Sequence, residues 1–271
     1  GQIEPNDSIS QAQKISLPVT VIGAIDTPGD VDSYSFVAKT GQEIVFDLVA
    51  RQIRSRLQPV VTLTDSLGKV LMEKRTSPGN PDVHFGFKVP SDGTYMVRIR
   101  DFEGTSGGDV IYRLNIGEFP MVTSVFPLGA RSGIPSELKI EGFNLHGVNT
   151  VKVIPPSSAL WSQTTPVTVP GVTDLWLTRN VAIGSDPETI TVGTNRSVMT
   201  AQVLPNSTAV SGKLTSDSPD HYYRFPATKG QRLIIDTMAS RLGSPLDSQI
   251  EILTTDGKPV ERALLKPVLY Y

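Results

Sequence analysis

Residues 26–36 read Asp-Thr-Pro-Gly-Asp-Val-Asp-Ser-Tyr-Ser-Phe, so an acidic turn runs directly into a strand of alternating polar and apolar residues. Pro28 and Gly29 are residue types that favour turns. Tyr34 and Phe36 fall on the same face of a strand, because successive side chains of a strand point to opposite sides. Both aromatic residues are therefore predicted to lie in the core of a β-sheet protein.

The same stretch returns later in the chain. Residues 21–50 match residues 210–239 without a gap, at a constant shift of 189 positions. The identical pairs are Val21 and Val210, Gly23 and Gly212, Tyr34 and Tyr223, Phe36 and Phe225, Ala38 and Ala227, Gly41 and Gly230, Gln42 and Gln231, Asp47 and Asp236, and Ala50 and Ala239. The chain therefore contains one module twice, and we refer to the first copy and the second copy.

Two acids of this stretch are not repeated. Asp30 and Asp32 of the first copy correspond to Pro219 and His221 of the second copy. Residues that the fold alone requires are expected in both copies. Asp30 and Asp32 are therefore not required by the fold alone.

The composition is that of folded domains and excludes several kinds of function. The chain has 271 residues, and 25 basic against 27 acidic residues give a formal net charge of -2. This balance provides no broad positive surface for nucleic acid or anionic lipid. The absence of cysteine excludes disulfides, thiolate metal sites and cysteine nucleophiles. No apolar run approaches the roughly 20 residues that a membrane-spanning helix needs.

Short apolar or alternating runs, bounded by glycine, proline, aspartate and asparagine, predict an all-β chain. In the first copy, strands are expected near residues 15–23, 33–38, 42–50, 59–65, 69–73, 82–89, 94–100 and 110–116. Farther along, strands are expected near residues 149–154, 166–169, 175–183 and 188–193. Gly68 and Gly93 are predicted to close hairpin turns at positive φ. The pattern favours tandem antiparallel β-sandwiches.

Four segments of the first copy occur in a characteristic order. They are Glu4-Pro-Asn-Asp7, Gly29-Asp-Val-Asp-Ser-Tyr-Ser-Phe36, Thr40-Gly-Gln42 and Ser91-Asp-Gly-Thr-Tyr-Met-Val-Arg-Ile99. In this order residues 1–118 resemble one complete member of the bacterial pre-peptidase C-terminal domain family. The resemblance implies a jelly-roll-like β-sandwich that is appended to secreted bacterial proteins, especially proteases, and is related to the collagen-binding modules of clostridial collagenases.

The segments 119–133 and 137–145 place a Pro-x-Gly turn before a strand that ends in Gly-x-x-Leu. On these features residues 119–200 resemble an immunoglobulin-like domain of the TIG type, which implies a second β-sandwich. Trp176 is predicted to be a core residue of it. Trp161 lies in a polar loop and is interpreted as a packed residue, with a stacking platform for a ligand as the alternative.

Residues 201–271 are predicted to form a truncated second copy. It follows its template as far as Lys258 and includes no counterparts of residues 82–116. A sandwich without those strands would expose unpaired edges. We therefore expect that the natural polypeptide is longer or that a partner strand completes this module.

Five oxygen-bearing side chains of the first copy are candidate Ca²⁺ ligands, namely Glu4, Asn6, Asp7, Asp30 and Asp32. Ca²⁺ binds about six to eight oxygens from carboxylates, amides and carbonyls. The resemblance adds that related collagen-binding modules hold Ca²⁺ with a Glu-Pro-Asn-Asp segment and with acids just before the following strand. It implies Glu4, Asn6, Asp7 and Asp30 as ligands, with Asp32 as a weaker candidate. The alternative is that these residues only form turns.

The second copy is predicted to have no comparable calcium site. From the sequence, Leu204, Asn206 and Ser207 are matched with the N-terminal candidate ligands, and Pro219 and His221 with the two later acids. Too few anionic ligands remain for Ca²⁺.

The sequence gives little support for catalysis. His84, His146 and His221 form no His-Glu-x-x-His motif, and the chain has no Gly-x-Ser-x-Gly elbow. We expect non-catalytic modules of a larger bacterial protein that is secreted, periplasmic or on the cell surface. One hypothesis is an accessory binding or spacer role, stiffened by calcium, that engages an extracellular protein or polysaccharide. The other is a purely structural stalk or processing segment of a protease or other surface enzyme, with no ligand of its own.

Overall fold

In the computed structural model the chain is all-β, as predicted. The structure describes residues 1–76, 81–157, 163–172 and 175–260, so Trp161 lies outside the described residues. The helical elements in these ranges are 3-10 turns at Ile9–Gln11, Arg51–Ile53, Val198–Thr200 and Ser240–Leu242. Within the same ranges, no helix has the length and apolar character that crossing a membrane requires.

The chain divides into two compact units, which are described separately. The first unit comprises residues 1–125, 139–151 and 167–179, and the second comprises the remainder.

A two-sheet sandwich opens the first unit. Its strands in chain order are β1 (Gln13–Lys14), β2 (Val19–Ala24), β3 (Asp32–Ala38), β4 (Glu43–Val49), β5 (Pro59–Asp65), β6 (Val70–Arg75), β7 (Val83–Lys88), β8 (Gly93–Asp101) and β9 (Ile111–Gly117). One sheet has the order β1-β3-β8-β5-β6, and the other has the order β2-β9-β4-β7. Each strand predicted for the first copy overlaps one of β2 to β9.

Aromatic side chains from both sheets form the core between them. Tyr34 is 0% exposed and Phe36 is 3% exposed, which confirms the prediction from their alternation along β3. The ring of Phe36 lies 5.9 Å from that of Phe46, which stacks on Phe85 at 4.8 Å between centroids. Burial of each such ring stabilises the sandwich by about 1.5–3 kcal/mol.

The two glycines predicted to close hairpins differ. Gly68 has a φ of 83° in the turn between β5 and β6, as predicted. The prediction for Gly93 is wrong, because Gly93 is the first residue of β8 and pairs with Ala38 in regular antiparallel register.

Six further strands follow the first sandwich. They are β10 (Met121–Phe126), β11 (Gly129–Arg131), β12 (Ser136–Phe143), β13 (Thr150–Val153), β14 (Gln163–Pro166) and β15 (Asn180–Gly184). The sheet β10-β12-β13 lies largely in the first unit, and the sheet β11-β15-β14 lies in the second. The strand predicted at residues 166–169 is displaced toward the N-terminus, because residues 163–166 are the ones that pair with β15.

The second unit also contains the second copy. Its strands are β16 (Glu188–Ile190), β17 (Gln202–Val203), β18 (Ala209–Ser211) and β19 (Tyr223–Arg224). β16 pairs with β18 and β17 pairs with β19, both in parallel. The β17–β19 pair repeats the parallel β1–β3 pair of the first copy.

Backbone hydrogen bonds show that the repeat begins upstream of residue 204. Several bonds of the first copy recur in the second at the same shift of 189 positions, and four of them are as follows. With the donor amide first, the first copy has Gln2 to Ile22, Ile15 to Ser35, Ser33 to Asn6 and Gln42 to Lys39. In the same order, the second copy has Thr191 to Ser211, Leu204 to Arg224, Tyr222 to Asn195 and Gln231 to Thr228.

The sequence-based matching of Leu204, Asn206 and Ser207 with the candidate ligands is therefore wrong. The Pro-Asn pair at residues 205–206 repeats the pair at residues 5–6 in sequence but not in hydrogen bonding. The structure instead places Gly193, Asn195 and Arg196 where the first copy has Glu4, Asn6 and Asp7.

Apolar residues 233–235 of the second copy are more exposed than their counterparts in the first copy. Residues 233–235 are between 42% and 62% exposed, whereas residues 44–46 of β4 are at most 1% exposed. Residues 44–46 are covered by β7 and β9 on either side of β4. Among residues 225–260 the structure describes an isolated bridge between Leu253 and Pro259 but no strand.

Candidate metal centre

Hydrogen bonds hold the N-terminal segment against the first sandwich. The Gln2 amide donates to the carbonyl of Ile22 at 3.0 Å. The Gln2 side chain donates from Nε2 to the Ala24 carbonyl at 3.2 Å and accepts at Oε1 from the Ala24 amide at 2.7 Å. Farther along, the Ser33 amide donates to the carbonyl of Asn6 at 3.2 Å. These bonds place the N-terminal segment beside the start of β3.

Three of the five predicted ligands meet at this point. Glu4, Asp30 and Asp32 each offer a carboxylate oxygen, and these atoms lie within 4.8 Å of one another. Asp32 is 0% exposed and Asp30 is 8% exposed, whereas Glu4 is exposed. Asp7 is also exposed, and it contributes to a rise in the pKa of Asp30. Within the described residues, this is the one close group of three acidic or histidine side chains.

Two buried tyrosines orient Asp32. The Tyr112 hydroxyl donates to Asp32 Oδ2 at 2.6 Å, and the hydroxyls of Tyr112 and Tyr34 are 2.6 Å apart. On the neighbouring acid, Asp30 Oδ2 accepts from the Asp26 amide at 2.7 Å. Sequence reasoning missed Tyr112, since a tyrosine in an alternating strand looks like any other core aromatic.

The remaining polar atoms of the cluster are buried without partners. Asp30 Oδ1, Asp32 Oδ1 and both polar side-chain atoms of Asn6 have no hydrogen-bond partner in the described part of the chain. Asn6 itself is 0% exposed. A buried polar atom without a partner costs about 1–3 kcal/mol, and more when it is charged. Such atoms are rare in folded proteins and call for an ion or another partner.

The buried carboxyl groups of the cluster also repel one another when they are ionised. Burial raises the pKa of Asp32 to about 7, and the negative charges of Asp30 and Glu4 add to this rise against the opposing hydrogen bond from Tyr112. Burial likewise raises the pKa of Asp30, with Asp7 and Glu4 contributing. A bound divalent cation would relieve this repulsion. The donor set of carboxylate and amide oxygens, with no sulfur or imidazole, fits Ca²⁺.

Comparisons with known proteins reveal one curated relative and several distant structural matches. No family model matches the chain. A probable subtilase-type serine protease of Deinococcus radiodurans is 37% identical over 99 residues, which are 35% of this chain and 14% of that protein. This chain thus spans only a small part of the length of the protease that it matches.

Among solved structures, the pre-peptidase C-terminal domain of collagenase from Bacillus anthracis is 18% identical, with a TM-score of 0.32, over 39% of this chain and 93% of that one. The Aeromonas hydrophila PliG protein, a periplasmic inhibitor of g-type lysozyme, is 14% identical, with a TM-score of 0.29, over 39% of this chain and 97% of that one. These likenesses are distant.

The corresponding place in the second copy has a different character. Asn195 is 0% exposed, as Asn6 is, but the positions that match the four acids of the first copy hold Gly193, Arg196, Pro219 and His221. Burial lowers the pKa of His221, and the charge of Arg196 lowers it further. The second copy therefore keeps the buried asparagine without the carboxylate cluster.

The histidines do not belong to the carboxylate cluster. His84 lies half-buried on β7, where burial lowers its pKa, and His146 lies in a turn with a φ of 51°.

Proposed function

We propose that residues 1–118 form a calcium-binding, non-catalytic accessory module of a larger secreted, periplasmic or surface-bound bacterial protein. The observation that carries this proposal is the set of buried, unpartnered oxygens of Asn6, Asp30 and Asp32 beside the carboxylate of Glu4. Oxygen atoms of this kind are the ligands that Ca²⁺ prefers.

Calcium would join two parts of the chain that are distant in sequence. Glu4, Asn6 and Asp7 belong to the N-terminal segment, whereas Asp30 lies in the loop that enters β3 and Asp32 is the first residue of β3. Calcium supplies positive charge that neutralises the carboxylates, and ligands from both parts would then hold the N-terminal segment on the sandwich. Since such binding favours the folded state, the ion would stiffen and stabilise this module.

The accessory role is supported by the similarity to part of a probable subtilase-type protease. The region shared with that protein is a small fraction of its length, and we infer that this chain likewise serves a larger protein. An extracellular protein or polysaccharide is the proposed partner. The formal net charge of -2 argues against nucleic acid.

Calorimetric titration of metal-stripped protein with Ca²⁺ tests the site. We expect one site per chain, and Asp32→Asn should weaken binding at least about hundredfold because it removes a buried anionic ligand. The matched control is Asp26→Asn, since Asp26 is an exposed acid of the same loop. Two equivalent sites per chain, or unchanged binding by Asp32→Asn, would refute the proposal.

A rigid spacer is the second candidate function, and contacts within the first unit favour it. The Trp176 indole Nε1 donates to Asp47 Oδ2 at 2.8 Å, and its ring stacks on Phe119 at 4.7 Å. Trp176 is 39% exposed, so the prediction that it lies in the core is wrong. Its ring instead anchors a later segment of the chain to the outer face of β4.

Asn144 makes a second anchor on the same strand. Its side-chain amide donates to the carbonyls of Glu43 at 2.8 Å and Phe119 at 2.9 Å, and its backbone amide donates to Glu43 Oε2 at 2.6 Å. Two separate attachment points on β4 restrict rotation of the attached strands relative to the sandwich. This is the property that a spacer needs.

Backbone NMR relaxation tests the spacer. We expect amides of β4 and β10 to report the same rotational correlation time, because the anchors join them. Trp176→Phe keeps the ring contact but removes one of two donors to Asp47 Oδ2, the other being Asn115 Nδ2 at 3.0 Å, and should lower the free energy of unfolding by about 0.5–1.5 kcal/mol. Different correlation times in the wild-type protein would exclude a rigid spacer.

A further inference from the structure

The second copy docks its N-terminal segment as the first copy does, although the acids are gone. The Tyr222 amide donates to the carbonyl of Asn195 at 2.8 Å, and Asn195 Nδ2 donates to the carbonyl of Tyr222 at 3.1 Å. The Leu204 amide donates to the carbonyl of Arg224 at 2.7 Å. Something other than a carboxylate-bound ion therefore holds the two parts of the second copy together.

Arg196 makes contacts to both of these parts. Its Nε donates to the carbonyl of Gly193 at 3.1 Å, and its Nη1 donates to the carbonyl of Asp217 at 3.1 Å. Gly193 stands in the place of Glu4, and Asp217 lies in the loop that corresponds to residues 26–30. A single guanidinium group thus connects the two elements that the candidate metal would connect in the first copy.

We propose that Arg196 acts in the second copy as a built-in cation, joining segment 191–197 to loop 213–221 so that the second copy stays assembled without metal. The comparison with the first copy rests on the proposed function, whereas the bridging role of Arg196 does not. A guanidinium carries a permanent positive charge and several N–H donors in a planar fork, which suits it to bridge two carbonyl oxygens.

The residue types at the five matched positions agree with the proposal, although Asp217 and Asp220 of the same loop are acids. At the five candidate ligand positions the first copy has Glu4, Asn6, Asp7, Asp30 and Asp32, and the second copy has Gly193, Asn195, Arg196, Pro219 and His221. Every acid is absent from the second set, and one permanent cation has been added. A divalent cation would be repelled by Arg196 and would find no carboxylate ligand among these five residues.

Amide hydrogen exchange, followed by NMR with and without EDTA, tests the proposal. The amides of Tyr222 and Leu204 report docking in the second copy, and those of Ser33 and Ile15 are their matched counterparts in the first. We expect Arg196→Met to speed exchange at Tyr222 and Leu204 by about tenfold, equally with Ca²⁺ and with EDTA. EDTA should speed exchange only at the first-copy pair.

Two results would overturn the inference. One is unchanged exchange at Tyr222 in Arg196→Met, and the other is faster exchange at Tyr222 when EDTA removes metal from the wild-type protein. If Arg196→Met unfolds the second copy altogether, Arg196→Lys takes its place as the test. Lysine keeps the positive charge but lacks the planar fork of donors, so amide exchange at Tyr222 should be intermediate in rate. Exchange at the wild-type rate would refute the bridge. If EDTA leaves the exchange rates of the Ser33 and Ile15 amides unchanged, that result would instead refute the proposed calcium site.

Discussion

In EDTA, the free energy of unfolding of the first unit is expected to fall as the pH rises from about 4 to about 7. Burial raises the pKa of Asp32 from 3.8 to about 7 in the folded protein. Between these two pH values the folded state therefore keeps a proton that the unfolded state has lost. This proton linkage stabilises the fold at low pH, and the stabilisation disappears as the pH passes through the folded-state pKa. We expect a loss on the order of a few kcal/mol.

Calcium should oppose this dependence and offset part of the loss. At a free concentration of about one hundred times its dissociation constant, a ligand that binds only the folded state adds about 2.7 kcal/mol. Because protons compete with the ion for Asp32, the gain should be largest above pH 7 and should shrink as the pH falls below it. Urea unfolding at a series of pH values, with Ca²⁺ and with EDTA, measures both effects.

Asp32→Asn provides the control, because it removes the titrating group while keeping its shape. Burial also raises the pKa of Glu188 in the second unit to about 7, with Asp186 contributing, so part of the pH dependence in EDTA belongs to that residue. The difference between the wild-type protein and Asp32→Asn isolates the share of Asp32. Identical pH dependences in EDTA would contradict the assignment.

The core of the first copy could be predicted from the sequence because it follows from local alternation. Tyr34 and Phe36 lie two positions apart on one strand, and the same spacing returns at Tyr223 and Phe225. Side-chain direction along a strand is fixed by the backbone, so such a pattern needs no knowledge of distant residues. The candidate ligands Asp30 and Asp32 could also be predicted from the sequence, because the first copy has these acids and the second copy lacks them.

The features that the sequence does not predict depend on contacts between residues far apart in sequence. Tyr112 reaches Asp32 across the interior of the sandwich, and nothing in its own neighbourhood marks its hydroxyl as a ligand-orienting group. The counterpart of Asn6 was misplaced at Asn206, since the docking of the N-terminal segment is determined by backbone hydrogen bonds rather than by residue type. Trp176 lies outside the core because its indole N–H donates to Asp47 of β4, a residue far away in sequence.

Gly23→Ala is expected to damage both the first sandwich and the proposed calcium site. Gly23 lies on β2 opposite Tyr112 of β9. An added Cβ would lie 2.5 Å from Tyr112 Cζ and 2.8 Å from Gln2 Oε1, and closer still to the Tyr112 hydroxyl. Tyr112 is 0% exposed, so moving its ring aside would disturb the packed core. The overpacking should cost about 1–3 kcal/mol of unfolding free energy.

The effect on calcium should come from the displaced hydroxyl. If Tyr112 moves, Asp32 loses the hydrogen bond that holds Oδ2, so its free Oδ1 is no longer fixed toward the cluster. Calcium affinity should then fall about tenfold, in line with the usual effect of groups that orient a metal ligand. Calorimetric titration of Gly23→Ala beside Tyr112→Phe separates the causes, because the phenylalanine variant removes the hydroxyl without adding a methyl group.

Two glycines serve as controls for this substitution. Gly93→Ala should have little effect, since a Cβ there would meet no atom within 4 Å. Gly212→Ala, at the matching position of the second copy, would bring a Cβ to 2.5 Å from Thr191 Oγ1 and 3.2 Å from His221 Nδ1, which belong to half-buried side chains rather than to a fully buried ring. Gly212→Ala should therefore cost less stability than Gly23→Ala and leave calcium binding unchanged. Equal losses of stability at Gly23 and Gly212 would mean that the buried hydroxyl of Tyr112 is not the reason why β2 requires glycine.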